Sequence, residues 1–170
     1  MLRIERTPRD IASVYETHRT LKRQYPDDAR LLWRQEEGTI IVRTSDTAIA
    51  EYAVGAVREF RLFANPTVCR DTAPRSEGRQ RARKRSRLVG APAQLDWLHR
   101  KAEIGGFEIM DAVVHGSRHV RCKNDRHGAL LLGVEFRGVL RVTDAARFAE
   151  TLRQGIGRGK AWGFGLLVVG

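Results

Sequence analysis

Residues 155–167 read GIGRGKAWGFGLL, and this stretch places five glycines within eleven positions. Glycine backbone can approach a ligand closely, and Arg158 and Lys160 add positive charge suited to phosphate groups. The stretch is not a nucleotide-binding P-loop, because a P-loop has four residues between its glycines, a Ser or Thr after its lysine and a strand before it. Here a predicted helix comes first and a predicted strand follows. A structural alternative is a glycine helix cap that leads through a tight turn into an edge strand.

The elements around the glycine stretch predict an α+β unit with antiparallel strands. A helix with Thr143 as its N-cap, closed by Gly155, precedes the stretch, and a strand over Gly163–Val169 follows it. The elements predicted upstream are a helix through Leu95, Leu98 and Ala102 and strands over Phe107–Val114 and Leu130–Val142. This order of helices and strands is that of a ferredoxin-like unit.

The first half of the chain indicates a similar order of elements. They are a strand at Leu2 and Ile4, a helix from Pro8 to Pro26, strands over Leu31–Gln35 and Thr39–Arg43, and a strand over Val57–Phe63. Residues 45–55 between the last two strands have no clear pattern. We therefore predict two tandem ferredoxin-like domains, over residues 1–69 and 88–170, joined by a basic loop over residues 70–87.

The charge of the chain points to a polyanionic partner. Its 170 residues include 31 Lys and Arg against 20 Asp and Glu, which gives a formal net charge of +11. Residues 70–87 hold eight of the basic side chains against only Asp71 and Glu77, and they lack apolar periodicity. We expect an exposed, mobile loop there that contacts phosphates, with a merely solvated charged loop as the alternative.

The same composition excludes several classes of protein. The longest apolar runs, Ala129–Leu132 and Leu166–Val169, are far shorter than the roughly 18 residues that a membrane span needs. The first ten residues lack the apolar centre of a secretory signal. Two cysteines, Cys69 and Cys122, are too few for a disulfide framework. We therefore expect a cytoplasmic protein that has no membrane partner.

The first predicted helix carries a histidine on an apolar stripe. Ile11, Val14, His18, Leu21 and Tyr25 recur at spacings of three and four residues. An imidazole titrates near neutral pH and can act as an acid or a base. A histidine on such a stripe can equally be a partly buried core residue. The spacing alone leaves both interpretations open.

Four motifs, in chain order, resemble one known family. They are FRLFANP at residues 60–66, WLHRK at 97–101, FRGVL at 136–140 followed by Thr143 and Asp144, and the glycine stretch with its Leu-Leu ending. Together they are similar to the CasE family of RAMP-type CRISPR-associated proteins, the endoribonucleases of type I-E Cascade. The resemblance implies two RRM-related domains and metal-independent cleavage of the CRISPR repeat at the 3′ base of its hairpin. It also implies that the protein keeps the product as a Cascade subunit, with repeat RNA and other Cascade subunits as partners and no cofactor.

The resemblance also assigns roles to individual residues. The family's catalytic histidine corresponds to His18, the tyrosine one turn earlier to Tyr15, and the lysine of the glycine loop to Lys160. Cleaving RNA without a metal needs a base, an acid and positive charge at the phosphorane, and these side chains can supply them. The residues alone do not decide whether His18 acts as the base or as the acid. Taken alone, Tyr15 could equally be a packing residue. Residues expected to contact RNA are Arg19, Lys22, Arg79, Arg81, Arg83, Lys84, Arg85, Arg87, Gly155, Gly157, Arg158 and Gly159.

Two other functions fit parts of the sequence. His115, His119, Cys122 and His127 have a spacing that could bind zinc, but it matches no standard zinc finger. The segment is rich in arginine, and His115 and Cys122 straddle a predicted turn, so we favour lone histidines on a polar hairpin and expect no metal site. A non-catalytic RNA-binding RAMP subunit, in which His18 is structural, fits the charge equally well. An assay for cleavage of repeat RNA distinguishes the endoribonuclease hypothesis from that of a non-catalytic binding module.

Overall fold

The computed structural model of the chain describes residues 3–6, 13–36, 39–71, 83–122 and 130–170. Within these ranges the helices are α1 (Val14–Gln24), α2 (Ala91–Ile104) and α3 (Ala145–Gln154), with a 3₁₀ turn at Lys160–Trp162. The strands are β1 (Arg3–Arg6), β2 (Leu32–Glu36), β3 (Thr39–Arg43), β4 (Val57–Ala64), β5 (Thr67–Asp71), β6 (Arg83–Arg87), β7 (Phe107–Arg121), β8 (Leu130–Val142) and β9 (Leu167–Val169).

The strands of the described residues form antiparallel sheets. A three-stranded sheet has the order β1-β3-β2, a four-stranded sheet has the order β7-β8-β4-β9, and β5 pairs with β6 alone. Helix α1 packs on the three-stranded sheet, whereas α2 and α3 pack on the four-stranded one. The predicted α+β class with antiparallel sheets is confirmed.

The strand predicted over Val57–Phe63 exists, but it lies in the other sheet. We assigned it to the first domain, over residues 1–69, whereas β4 pairs with β8 and β9. Its inward residues Phe60 and Leu62 enter the core under α2 and α3. The chain therefore passes from one sheet to the other between Arg43 and Val57, and the described residues of that connection form turns and no helix.

Several predicted element boundaries are wrong for local reasons. Helix α1 begins at Val14, because the Ser13 side chain accepts a hydrogen bond from the Glu16 amide at 3.2 Å, and Pro8 and Ile11 lie outside the described residues. Asp144, not Thr143, caps α3 by accepting from the Arg147 amide at 3.0 Å.

Two strand lengths also differ from prediction. Strand β7 continues to Arg121, beyond the predicted end at Val114. Two register shifts, after Ile109 and after Val114, interrupt the alternation of inward and outward side chains, so the sequence pattern does not show the second part of the strand. The last strand begins at Leu167 and not at Gly163. The residues before it form a loop, held where the Gly165 amide donates to the Phe63 carbonyl at 2.8 Å.

The basic segment over residues 70–87 is not simply a loop. Its two ends form the hairpin arm of β5 and β6, which we call the basic arm, and the residues between Asp71 and Arg83 lie outside the described part of the chain. The arm continues at its base, where the Leu88 amide donates to the Pro66 carbonyl at 3.0 Å. A two-stranded ribbon depends mainly on backbone hydrogen bonds, so it can form without the apolar alternation that marks a half-buried strand.

The two larger sheets are tied together through buried contacts. Leu32 and Ile41 of the three-stranded sheet pack against Leu166 and against Val168, which lies in β9 of the four-stranded sheet. The buried Arg43 guanidinium donates to the backbone carbonyls of Leu152 and Leu167, the latter at 3.2 Å. Burial lowers the pKa of Arg43 to about 10, so this cation remains charged at neutral pH. These contacts fix how the elements that carry the candidate site meet.

No helix in the described ranges combines the length and the apolar character that crossing a membrane would require.

Candidate active site

Helix α1 places His18 at the border between core and solvent. The apolar side of the helix, with Leu21 buried, packs on Trp33, Ile40 and Val42 of the three-stranded sheet. His18 lies one turn before Leu21 and is partly buried, beside the 3₁₀ turn at Lys160–Trp162. It is therefore neither a fully buried core histidine nor a freely solvated one.

The 3₁₀ turn holds the His18 imidazole in place. The Trp162 ring lies 4.9 Å from the imidazole, centroid to centroid, and the backbone of Ala161 forms a hydrogen bond with the imidazole. The Ala161 carbonyl also accepts from the Trp33 indole nitrogen at 3.3 Å, which anchors the turn to the sheet. A hydrogen bond at one imidazole nitrogen favours one tautomer and leaves the other nitrogen for chemistry. Sequence reasoning did not single out Ala161 or Trp162.

The surroundings of His18 favour its neutral form. Desolvation by burial lowers the pKa of His18, and the positive charge of Lys22, one turn later, lowers it further. The hydrogen bond to Ala161 opposes this by raising the pKa, but the net direction is down. At neutral pH the imidazole is therefore mostly unprotonated and able to accept a proton.

His18 and Lys160 line the same groove. This groove has a volume of about 430 Å³. Its other lining residues are Lys22, Asp28, Ala29, Arg30, Leu31, Leu32, Trp33, Gln154 and Ala161. Burial lowers the pKa of Lys160, with a smaller contribution from the nearby positive charge of Lys101. The groove thus brings together an imidazole able to accept a proton and a lysine near other cations.

Tyr15 lies to one side of this groove. Its ring stacks with Trp162 at 6.4 Å between centroids, and the Arg19 guanidinium lies 5.8 Å from the centre of the Tyr15 ring. Tyr15 is not among the residues that line the groove with His18. This position fits the packing role that the sequence left open, and a catalytic role for Tyr15 stays a prediction.

The glycines shape the turn that presents Lys160. All five have positive φ, from +71° at Gly155 to +85° at Gly165, a conformation that other residues rarely adopt. A Cβ atom at Gly163 would lie 3.0 Å from the Trp33 ring, so a side chain there would disturb the anchor of the turn. The Gly155 amide already donates to the Thr151 carbonyl at 2.8 Å, which fits the helix-cap alternative. Phosphate contacts by Gly155, Gly157 and Gly159 stay predictions.

The sequence matches a known protein family over most of its length. The sequence model of a family described as "CRISPR associated protein" matches residues 38–170. The chain belongs to this family. It is 32% identical to the CRISPR-associated endoribonuclease Cse3 of Thermus thermophilus, over 95% of this chain and 92% of that protein. It is also 28% identical to the CRISPR system Cascade subunit CasE of Escherichia coli, over 86% of this chain and 76% of that one.

The fold is similar to that of a solved CRISPR-associated protein. Thermus thermophilus Cse3, bound to an RNA representing a pre-cleavage complex, superposes with a TM-score of 0.73 at 28% identity. The match covers 95% of this chain and 91% of the other. The resemblance to CasE-type proteins and the predicted ferredoxin-like fold are thereby confirmed, whereas the division into two tandem domains stays a prediction.

The remaining basic residues of this CRISPR-associated protein fall on two other surfaces. Lys84, Arg85 and Arg87 are exposed on the basic arm, and Arg158 is exposed in the glycine loop. Of Arg83 the structure describes only the backbone, in β6, and Arg79 and Arg81 lie outside the described residues. Contact of these residues with RNA stays a prediction.

The residues whose spacing could bind zinc have other surroundings. His119 Nε2 lies 3.4 Å from Arg87 Nη1 of the basic arm, and Cys122 is buried, which raises its pKa. Among the described residues no three His, Cys, Asp or Glu side chains cluster closely enough to hold a metal, and His127 falls outside them. The exposed basic arm therefore reaches β7 through a polar contact between Arg87 and His119.

Proposed function

We propose that this protein is the endoribonuclease that cuts CRISPR repeat RNA at the 3′ base of its hairpin and remains bound as a Cascade subunit. The observation that carries the proposal is the shared groove of His18 and Lys160. It is supported by 32% identity to the endoribonuclease Cse3 over nearly the whole of both chains. The reaction would take place in the cytoplasm, where the repeat transcript is made.

The groove residues fit a cleavage in which the RNA supplies its own nucleophile. Neutral His18 takes the proton of the 2′-OH, whose oxygen attacks the adjacent phosphorus. The Lys160 ammonium stabilises the negative charge that builds on the phosphorane oxygens. The bond to the 5′ oxygen breaks, that oxygen takes a proton from solvent, and the products end in a 2′,3′-cyclic phosphate and a 5′-OH. No step requires a metal ion.

The surrounding cations fit the binding of the hairpin. Arg19 and Lys22 border the site on α1, Arg158 lies in the glycine loop, and the basic arm extends from the four-stranded sheet. The guanidinium group of arginine can donate two parallel hydrogen bonds to the oxygens of one phosphate. Because the major groove of A-form RNA is deep and narrow, we expect these side chains to contact mostly the RNA backbone and to recognise the shape of the hairpin. Their role is to fix the hairpin so that one phosphate enters the groove.

The direct test uses the repeat of the host's own CRISPR array. We expect one cut at the 3′ base of the hairpin and a hairpin product that stays bound to the protein. Denaturing gels map the cut, and native gels with unlabelled competitor RNA measure retention of the product. RNA that is bound but left whole would favour the non-catalytic binding module instead.

The pH dependence tests which role His18 has. Because the charge of Lys22 lowers the pKa of His18, the change Lys22→Met should raise that pKa. If neutral His18 is the base, the acid limb of the single-turnover rate then moves to higher pH, while the rate at high pH keeps its pH-independence. Arg23→Met, one position further on the exposed side of α1, is the matched control and should leave the acid limb in place. A rate that instead increases toward low pH would make His18 the acid.

A further inference from the structure

A second and larger cleft lies between the two sheets. Its volume is about 800 Å³. The three-stranded sheet contributes the face opposite α1, since Arg34 and Ile41 point away from the Trp33 and Val42 that pack on the helix. The four-stranded sheet contributes the face opposite its helices. The residues lining the cleft are Arg34, Gln35, Glu36, Thr39, Ile41, Arg61, Phe63, His115, Gly116, Ser117, Arg118, Glu135 and Arg137.

The cleft has more cations than it can pair internally. Its two carboxylates are already engaged, because Arg34 Nη2 lies 3.0 Å from both Glu135 oxygens and 2.8 Å from Glu36. Arg61 Nη1 also pairs with Glu36 Oε2, at 3.2 Å. Arg137 forms a longer ion pair, with its Nε 3.7 Å from Glu135 Oε1. Four arginines thus face two glutamates, and the surplus charge favours an anionic ligand.

The floor of the cleft also holds buried polar atoms without hydrogen-bond partners. Arg34 is only 4% exposed, yet its Nε and Nη1 have no hydrogen-bond partner among the described residues. Glu36 Oε1 likewise accepts no hydrogen bond there, although it lies 2.8 Å from Arg34 Nη2 as an ion pair, so the unpaired donors outnumber the unpaired acceptor. Buried donors of a guanidinium are costly when left unpaired. A ligand rich in acceptor oxygens, with its ordered water, would supply what the floor lacks.

Arg118 offers a flat surface at the mouth of the cleft. Its guanidinium carbon lies 4.5 Å from the centre of the Phe63 ring, and the side chain is exposed. The described residues give Arg118 no carboxylate partner. A guanidinium stacked on an aromatic ring keeps its outer face open, and nucleic-acid bases stack on such faces.

The strand beside Arg118 is shaped around open space. The register of β7 with β8 shifts between Val114 and Gly116, and bulges of this kind redirect side chains next to functional sites. A Cβ atom added at Gly116 would meet nothing within 4 Å. No packing reason therefore explains the glycine, whereas close approach of a ligand would.

The cleft shares a wall with the active site. Phe63, under Arg118, stacks on Phe164 at 5.0 Å, and both belong to a cluster that includes Trp162 and Val14. Trp162 in turn contacts His18. The groove of His18 and Lys160 and the cleft are therefore neighbours, joined through one cluster of aromatic side chains.

We propose that this cleft binds the single-stranded RNA that adjoins the hairpin. Arg61, Arg118 and Arg137 contact its phosphates, and one base stacks on the Arg118 guanidinium. The inference rests on the proposed function, because it takes the substrate to be a repeat hairpin with flanking RNA. Its chemistry favours RNA over an acidic protein segment, since the guanidinium–aromatic stack suits a base as well as the charge suits a phosphate.

The test compares the bare hairpin with hairpins extended by about eight single-stranded nucleotides on one side or the other, within the usual range of single-strand sites. The variants are Arg118→Glu, which reverses a charge, and Gly116→Val, which fills open space. The matched control is Arg58→Glu. Arg58 is exposed on β4, but its guanidinium lies over Tyr52 on the helix side of the sheet, at 5.8 Å.

With one of the two extended hairpins, we expect Arg118→Glu and Gly116→Val each to weaken binding by roughly tenfold. A loss of this size is typical of one stacked base and its phosphate. Binding and cleavage of the bare hairpin should be unchanged, and Arg58→Glu should resemble the wild type throughout. Equal losses with the bare hairpin, or no loss with either extended RNA, would overturn the proposal. So would defects confined to assembly with Cascade subunits, which would assign the cleft to a protein partner. If the wild type itself neither binds nor cuts the hairpin, the proposed function is the part that fails.

Discussion

His18→Ala should slow cleavage of the repeat hairpin by roughly 10² to 10⁴-fold, the usual contribution of a general acid or base. Alanine leaves the groove lined by Lys160 intact but removes the one imidazole that lines it within the described part of the chain. The affinity for RNA should be unchanged, because binding depends on phosphate contacts by arginines and lysines. Single-turnover rates at saturating protein, together with filter binding, measure both quantities.

His99→Ala is the matched control for this substitution. His99 is exposed on α2, away from the groove, and its removal should alter neither rate nor affinity. A His18→Ala protein that cuts at the wild-type rate would remove the imidazole from the mechanism. A variant that no longer binds RNA would instead make His18 a structural residue of α1.

The helix stripe and the family resemblance predicted the main features of the site. Spacing alone placed His18 on one side of a helix, and the glycine pattern placed Lys160 in a turn. Their meeting could not be derived from either segment, because 142 positions separate them in the sequence. It depends on Trp33, whose indole donates to the Ala161 carbonyl, and on a Gly163 that lets the turn lie against that ring.

Sheet membership was the part of the fold that sequence reasoning missed. The alternation of apolar and polar side chains identified β4 as a strand. The same alternation would be seen whichever strand β4 pairs with, so it does not indicate the sheet to which β4 belongs. Pairing of β4 with β8 and β9 is decided by the burial of Phe60 and Leu62 under α2 and α3. The cleft between the sheets was missed for the same reason, since Arg34 and Glu135 come from distant segments.

The orienting contacts of His18 left no sequence signal. Ala161 acts through its backbone carbonyl, which every residue possesses, so no residue type could have revealed it. Trp162 is neither a glycine nor a charged residue of the glycine stretch. An aromatic residue two positions after the loop lysine is the one hint that the sequence contained.

The nature of the nucleophile decides whether the groove works as described. If the 2′-OH attacks, removing that one oxygen at the nucleotide before the cut should abolish cleavage while leaving every phosphate contact in place. His18 would then have no proton to accept. Lys160 would have no phosphorane to stabilise. The expected effect is larger than that of any single side-chain change, because the reaction loses a reactant.

One measurement therefore tests the account most directly: single-turnover cleavage, in EDTA, of two repeat hairpins that differ only in a 2′-deoxy nucleotide at that position. We predict that the all-ribose RNA is cut to a 2′,3′-cyclic phosphate and a 5′-OH, and that the deoxy RNA binds equally well but stays whole. Cleavage of the deoxy RNA, or loss of all-ribose cleavage on chelation that added metal restores, would contradict it.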